Sequence, residues 1–189
     1  MGVIVVAGVP AVGKTTVLVK LAKKTKFKVI NVGDEMLALA VERGLLKHRD
    51  DLRKQHPSVQ EELWRDVVEK IADRAEGTPI IVETYCSVKT PKGYMPGLPQ
   101  WALKALRPST IILLEADPDE ILVRRVKDTS RLRDLEYVAH IEEHQRMDRV
   151  FAMAYATFTG ATVKMIMNHD SSVEKAVAEL AKTLEGIHV

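Results

Sequence analysis

Gly8 and Gly13 enclose Val9, Pro10, Ala11 and Val12, and Lys14, Thr15 and Thr16 follow at once. The run satisfies G-x-x-x-x-G-K-[ST] without a mismatch, and the chemistry it suits is the binding of a nucleoside triphosphate. Glycine adopts backbone torsions that a Cβ opposes, so successive N–H groups can converge on one anion. A helix opening near Lys14 would aim its positive end and its unpaired amides at the same point. Lys14 adds a full charge for the β- and γ-phosphates, the Thr15 hydroxyl suits Mg2+, and Thr16 is positioned to reach a further phosphate oxygen. A glycine-rich turn with an incidental lysine is the competing reading. The strand-like VIVVA before the loop and the amphipathic segment after it favour the phosphate site.

Whether that phosphate is moved, hydrolysed or only sensed must come from other residues. A GTPase switch needs D-x-x-G after a strand and an N-K-x-D base reader, and the chain has neither. The segment IIVE ends in Glu83, a candidate second-shell residue for the magnesium ion, with a buried structural acid as the alternative. Further along, Arg124, Arg125, Lys127, Arg131 and Arg133 put five cations into ten residues. Phosphoryl transfer requires cations around the developing charge, supplied when a segment closes over the site, and residues of about 127–135 suit such a lid. The bland alternative is a solvated basic helix end. Between Glu83 and Pro99, three prolines, two glycines, Lys89, Lys92, Tyr85 and Tyr94 make a shaped loop at the carboxyl end of a strand. Open α/β sheets place their ligands there, so this loop is a candidate wall for the phosphoryl acceptor.

The elements that must hold these residues are legible as well. Five β-rich segments, Val3–Ala7, Phe27–Asn31, Ile80–Glu83, Thr110–Glu115 and Thr162–Met167, are mostly continuous apolar runs, as strands covered on both faces are. Helical patterns separate them, so the expected class is α/β: a parallel sheet between two layers of helices. Ser58 and Glu61 have capping-box spacing ahead of one helix, and Ser171 and Glu174 ahead of the last. Pro118 at a first helical position follows Asp117, Gly77 ends one helix, and Gly160 ends a long helical stretch beginning about Leu135.

The 189 residues read as one domain, 1–189, without repeat, linker or low-complexity tract. No apolar run approaches membrane length, the start carries no leader-like pattern, and the one cysteine, Cys86, suits a reducing compartment; the expected location is cytoplasmic. A net charge of +2 gives no argument for a nucleic-acid partner. Six Asn and Gln residues against 54 charged ones is an economy of thermolabile amides found in proteins of hot environments.

GVPAVGKTT, RDDLRK, VKTPKGYMPGLP, RLRD, EEHQ and TGATVK occur here in the order in which they occur in adenylate kinases of the archaeal type, and the chain resembles that family from about Val3 to its last helix. The loop of residues 89–99 and TGATVK are far more specific than the phosphate loop. The resemblance implies a P-loop NTPase fold with strand order 2-3-1-4-5, Mg2+-dependent conversion of ATP and AMP into two ADP, and a homotrimer. It implies that Lys14 and the loop amides hold the ATP phosphates, that Arg125 packs on adenine, and that Arg131 and Arg133 act on the transferring group. It sets Thr162 near the adenine. The better-known bacterial pattern has an arginine after Gly-Asp-Met-Leu, where this chain has Gly33-Asp34-Glu35-Met36-Leu37. Arg53, with Arg49 behind it, is the candidate replacement for holding the AMP phosphate. Lys89 or Lys92 stands in for the arginine expected after the third strand. The rivals are a kinase for UMP, CMP or dTMP and a non-catalytic nucleotide-binding regulator that uses its basic segments on RNA.

Overall fold

The computed structural model describes residues 3–45, 55–127 and 137–186. Seven helices and seven strands are seen among them. β1 (Val3–Ala7), α1 (Lys14–Ala22), β2 (Lys28–Asn31), α2 (Val32–Glu42), α3 (Pro57–Ala75) and β3 (Ile80–Glu83) come first. A hairpin of β4 (Ser87–Thr90) and β5 (Gly93–Pro96) follows, then α4 (Gln100–Leu106), β6 (Pro108–Glu115), α5 (Pro118–Lys127), α6 (Val138–Thr159), β7 (Thr162–Met167) and α7 (Val173–Glu185).

The five expected strands form one parallel sheet in the order β2-β3-β1-β6-β7. The hairpin lies between its third and fourth strands in the chain, so the strands numbered 4 and 5 in the expected order are β6 and β7. β1 lies at the centre and every one of its residues is buried, which is why its sequence is a continuous apolar run with no alternation. Its side chains still divide by period two. Val3, Val5 and Ala7 join the layer built with Leu39 of α2, Leu63 and Ile71 of α3, and Leu103 of α4. Ile4 and Val6 join the other layer, with Leu18 of α1, Ile121 of α5 and Leu180 of α7. The expected three-layer α/β arrangement is what the chain adopts.

Differences from the expected caps are small and have causes. Pro57, pre-set for a first helical position, moves the start of α3 back, and His56 becomes the N-cap, its ring nitrogen accepting from the Ser58 N–H. Glu61, freed from the expected capping box, pairs with Arg65 one turn on. At α7 the N-cap is Ser172 rather than Ser171, and Glu174 bridges to Lys20 of α1. Gly160 ends α6 at φ +77° as expected, and the helix begins at Val138.

The proline-rich segment after β3 is more regular than its composition suggests. Ser87 pairs with Pro96 and Thr90 with Gly93 in an antiparallel ladder closed by Pro91 and Lys92. Gly97 then brings the chain back beside the residues it left: its N–H donates to the Cys86 carbonyl at 2.8 Å. A Cβ on Gly97 would lie 2.1 Å from the Tyr85 carbonyl oxygen. Both neighbours are backbone, so nothing nearby can swing aside. Gly97→Ala is expected to destabilise the protein by about 1–3 kcal/mol, as overpacking does. Urea unfolding checks this; an unchanged midpoint would show that the two chain segments separate freely.

Candidate active site

The phosphate loop leaves β1 at the carboxyl edge of the sheet. Gly8 has φ +151°, and a Cβ there would fall 2.3 Å from the Leu114 carbonyl oxygen of β6. Gly13, at φ +94°, is the N-cap of α1, with the Asn168 side chain where its Cβ would be. Gly8 is therefore required by close approach to backbone as well as by torsion, and Gly13 by its torsion, a Cβ there having to displace the Asn168 side-chain amide. Ala11 sits at φ +69°, a conformation a non-glycine residue adopts only when its surroundings hold it.

Those surroundings are on α5 and beyond β7. Arg125 donates twice to the Pro10 carbonyl, at 3.2 and 3.1 Å. Arg124 donates to the Val12 carbonyl at 3.0 Å, and the Asn168 side-chain amide donates to the same oxygen at 2.8 Å. Arg124 is itself held by Asp170 at 2.6 Å and by the Asn168 carbonyl at 2.8 Å. In a trans peptide the C=O and the next N–H point in opposite directions. Drawing the Pro10 and Val12 carbonyls outward turns the Ala11 and Gly13 N–H groups the other way, as an anion cradle needs. Val9 and Val12 anchor the loop with wholly buried side chains.

Lys14 is only 7% exposed. Its ammonium donates to the Gly8 carbonyl at 2.7 Å and to Val9 at 3.3 Å, and stands 4.6 Å from the centre of the Tyr85 ring. The Thr15 hydroxyl donates to Glu83 Oε1 at 2.9 Å, joining the first turn of α1 to the end of β3. Glu83 is 5% exposed, so the pair offers oxygen ligands at the edge of the cradle, the donor type that a hard divalent cation takes. Thr16 is exposed on the first turn of α1.

Helix α6 braces this edge of the sheet with polar residues on its buried face. The Gln145 side-chain amide accepts from the Ala116 N–H at 3.1 Å and donates to the Ala116 carbonyl at 3.0 Å. Arg149 forms a two-pronged pair with buried Glu115, which holds its guanidinium more firmly protonated than usual. Asp148 accepts from the Ser87 N–H at 3.0 Å and from its hydroxyl at 2.6 Å. Burial pushes the Asp148 carboxyl upward, while Ser87, His144 and Lys14 act in the opposite sense. The Tyr155 hydroxyl donates to the Cys86 carbonyl at 2.7 Å, and burial raises both that phenol and the Cys86 thiol, so Cys86 is an inert core residue.

The loop residues Gly8 to Thr16, Glu83 and Arg125 are thus gathered at one edge. Lys89 and Lys92 are exposed on the hairpin that rises from the same edge. Thr162 is not there. It opens β7, paired with Thr110 near the amino end of the sheet, with its hydroxyl 3.2 Å from that of Thr110. The carboxyl end of β7, five residues later, with Asn168 just beyond it, is what meets the loop: a strand puts its start and finish on opposite edges, and the adenine-side expectation for Thr162 fails for that reason. Arg49, Arg53, Arg131 and Arg133 lie outside the described residues. Sequence reasoning missed Asn168, Arg124 as a loop anchor, Tyr85 as the neighbour of Lys14, Asp148 and Arg149. The polar residues of α6 did leave a signal, since His144, Gln145, Asp148 and Tyr155 recur at helical spacing with apolar Ile141 and Ala152.

A family model described as an AAA domain matches residues 7–142. The adenylate kinase of Methanopyrus kandleri is 50% identical over 191 residues, covering 99% of this chain and 100% of that one. The chain belongs to the adenylate kinases. The adenylate kinase of Methanothermobacter thermautotrophicus is 47% identical, with 98% and 100% covered. Among solved structures, a shikimate kinase from Aquifex aeolicus superimposes with a TM-score of 0.62 at 18% identity, covering 97% of this chain and 96% of that one, a likeness of fold. Membership of the adenylate kinases makes the protein a phosphotransferase of the nucleoside monophosphate kinase type. Among the described residues no helix is long and apolar enough to cross a membrane.

Proposed function

We propose that the protein transfers the γ-phosphoryl group of ATP reversibly to AMP, giving two ADP. The observation that carries this reading is a complete phosphate cradle, with buried Lys14 and the Thr15–Glu83 pair, in a chain alike over its whole length to adenylate kinases. The loop amides and Lys14 bind and orient the triphosphate, and Arg131 and Arg133 bring charge to the group in flight. Arg53, Lys89 and Lys92 serve the AMP phosphate. Thr15 directly, and Glu83 through it, would hold a Mg2+ ion, whose chemistry is to neutralise charge on the β- and γ-oxygens. The compartment is cytoplasmic, in keeping with the single reduced cysteine.

Acceptor choice is tested by comparing kcat/KM for AMP, UMP, CMP and dTMP with Mg·ATP held constant. AMP is expected to be preferred by at least tenfold. A pyrimidine nucleotide used best would reassign the acceptor and leave the phosphoryl-transfer reading standing. ATP bound without transfer to any of them would favour the regulator.

The assembly is a homotrimer. Val150, Met153 and Phe158 are exposed on α6, and Met165 and Met167 on the edge strand β7, so both carry apolar surface that association would cover. Sedimentation at micromolar concentration is expected to give about 63 kDa, three chains of 21.1 kDa. A mass near 21 or 42 kDa would contradict it.

A further inference from the structure

Tyr85 follows β3 by two residues and has no place in the phosphate-loop motif, yet its ring lies 4.6 Å from the Lys14 ammonium. We propose that Tyr85 is a positioning residue for Lys14: its aromatic face holds the ammonium at the mouth of the loop, in a narrow range of rotamers, ready for the phosphates. The inference deepens the phosphoryl-transfer reading and rests on it.

Two features make the ring a fixed platform rather than a passing contact. The main chain on either side is pinned. The Thr84 N–H donates to the Val6 carbonyl at 3.1 Å, extending the sheet by one residue. The Cys86 carbonyl accepts from both the Gly97 N–H and the Tyr155 hydroxyl, and Ser87 is held twice by Asp148. Gly97 also packs directly on the Tyr85 carbonyl, at a spacing only glycine tolerates. The second feature is what a lysine costs here. Its four-carbon stem has many rotamers, and its ammonium is largely withdrawn from water. Two carbonyls bind the ammonium from one side. The quadrupole of an aromatic face supplies attraction from another without forming a directional bond that a phosphate oxygen would have to break. The ammonium can therefore pass from the carbonyls to the phosphates while the ring continues to face it.

The idea makes a demand on double variants. If the ring acts through Lys14, its removal should lower turnover only while the ammonium is present. With AMP and Mg·ATP, Tyr85→Leu is expected to lower kcat about tenfold, the size of a desolvated cation–aromatic contact, with either KM changed less than threefold. Tyr85→Phe, which keeps the face, is expected to stay within threefold of the wild type. In a Lys14→Met background, Tyr85→Leu should cause less than a twofold further loss. Additive losses, or a Tyr85→Phe enzyme as slow as Tyr85→Leu, would overturn the proposal; so would a rise confined to the KM for AMP, which would make the ring an acceptor contact.

Should the Lys14→Met enzyme be too slow to time, proton NMR of the wild type decides. The Lys14 side-chain protons nearest the ammonium are expected to be shifted upfield by the ring and to return to ordinary positions in Tyr85→Leu. Unshifted protons in the wild type would overturn the proposal. The same assay separates the two readings. A wild type with no turnover sinks phosphoryl transfer and this inference together, whereas an active wild type with additive variants sinks the inference alone.

Discussion

Lys14→Ala is expected to lower kcat by roughly 10²–10³-fold, the loss usual when a charge aimed at a transition state is removed. The cradle is expected to survive the substitution: it loses the lysine's ties to the Gly8 and Val9 carbonyls, but keeps the glycine torsions and the outward ties from Arg124, Arg125 and Asn168. Binding of ATP should therefore weaken far less than turnover falls, which is the signature of an interaction made mainly in the transition state. The native state should persist, since Leu18 and Leu21 hold α1 against the sheet and the substitution leaves them untouched. Steady-state kinetics with a thermal melt on the same sample check both halves. Near-normal kcat in a folded Lys14→Ala protein would mean that the chemistry happens elsewhere.

Arg131→Ala and Arg133→Ala are each expected to lower kcat by roughly a hundredfold, about 3 kcal/mol of transition-state stabilisation. The rival, a solvated basic face, makes the opposite demand: neutralising an exposed, unpartnered charge leaves kinetics alone. A cation that meets negative charge chiefly while the phosphoryl group is in flight loses turnover instead. Arg133→Lys should restore only part of the rate, because an ammonium cannot reproduce the planar fork that grips two phosphate oxygens. Alanine variants that both stay within threefold of the wild type would return the two arginines to the surface.

The sheet was readable because burial on both faces forces continuous apolar strands, and VIVVA, IIVE and TIILLE announce themselves in that way. The phosphate loop was readable because its contacts are local: six consecutive residues and the helix behind them do most of the work. What escaped was long-range. Nothing near Pro10 says that Arg125 will hold it from 115 residues away, or that Asn168 will hold Val12 from 156 away. Thr162 was misplaced because the resemblance set it by the adenine, although it opens its strand and open parallel sheets hold ligands at the carboxyl ends. The hairpin after β3 was hidden by its prolines and glycines, which also describe an irregular loop. Tyr85 was legible only as part of the acceptor loop: far from Lys14 in sequence, its ring becomes the neighbour of the ammonium only because β3 pairs beside β1.

The most direct measurement supplies a single nucleotide. An adenylate kinase given Mg·ADP alone must disproportionate it, since two ADP are both its products and its reverse substrates. Phosphorus NMR of the purified protein with ADP and Mg2+ is expected to show ATP and AMP appearing in equal amounts. Phosphate release without ATP would indicate a hydrolase, and ADP that remains unchanged would contradict the assignment of this site to phosphoryl transfer between adenine nucleotides.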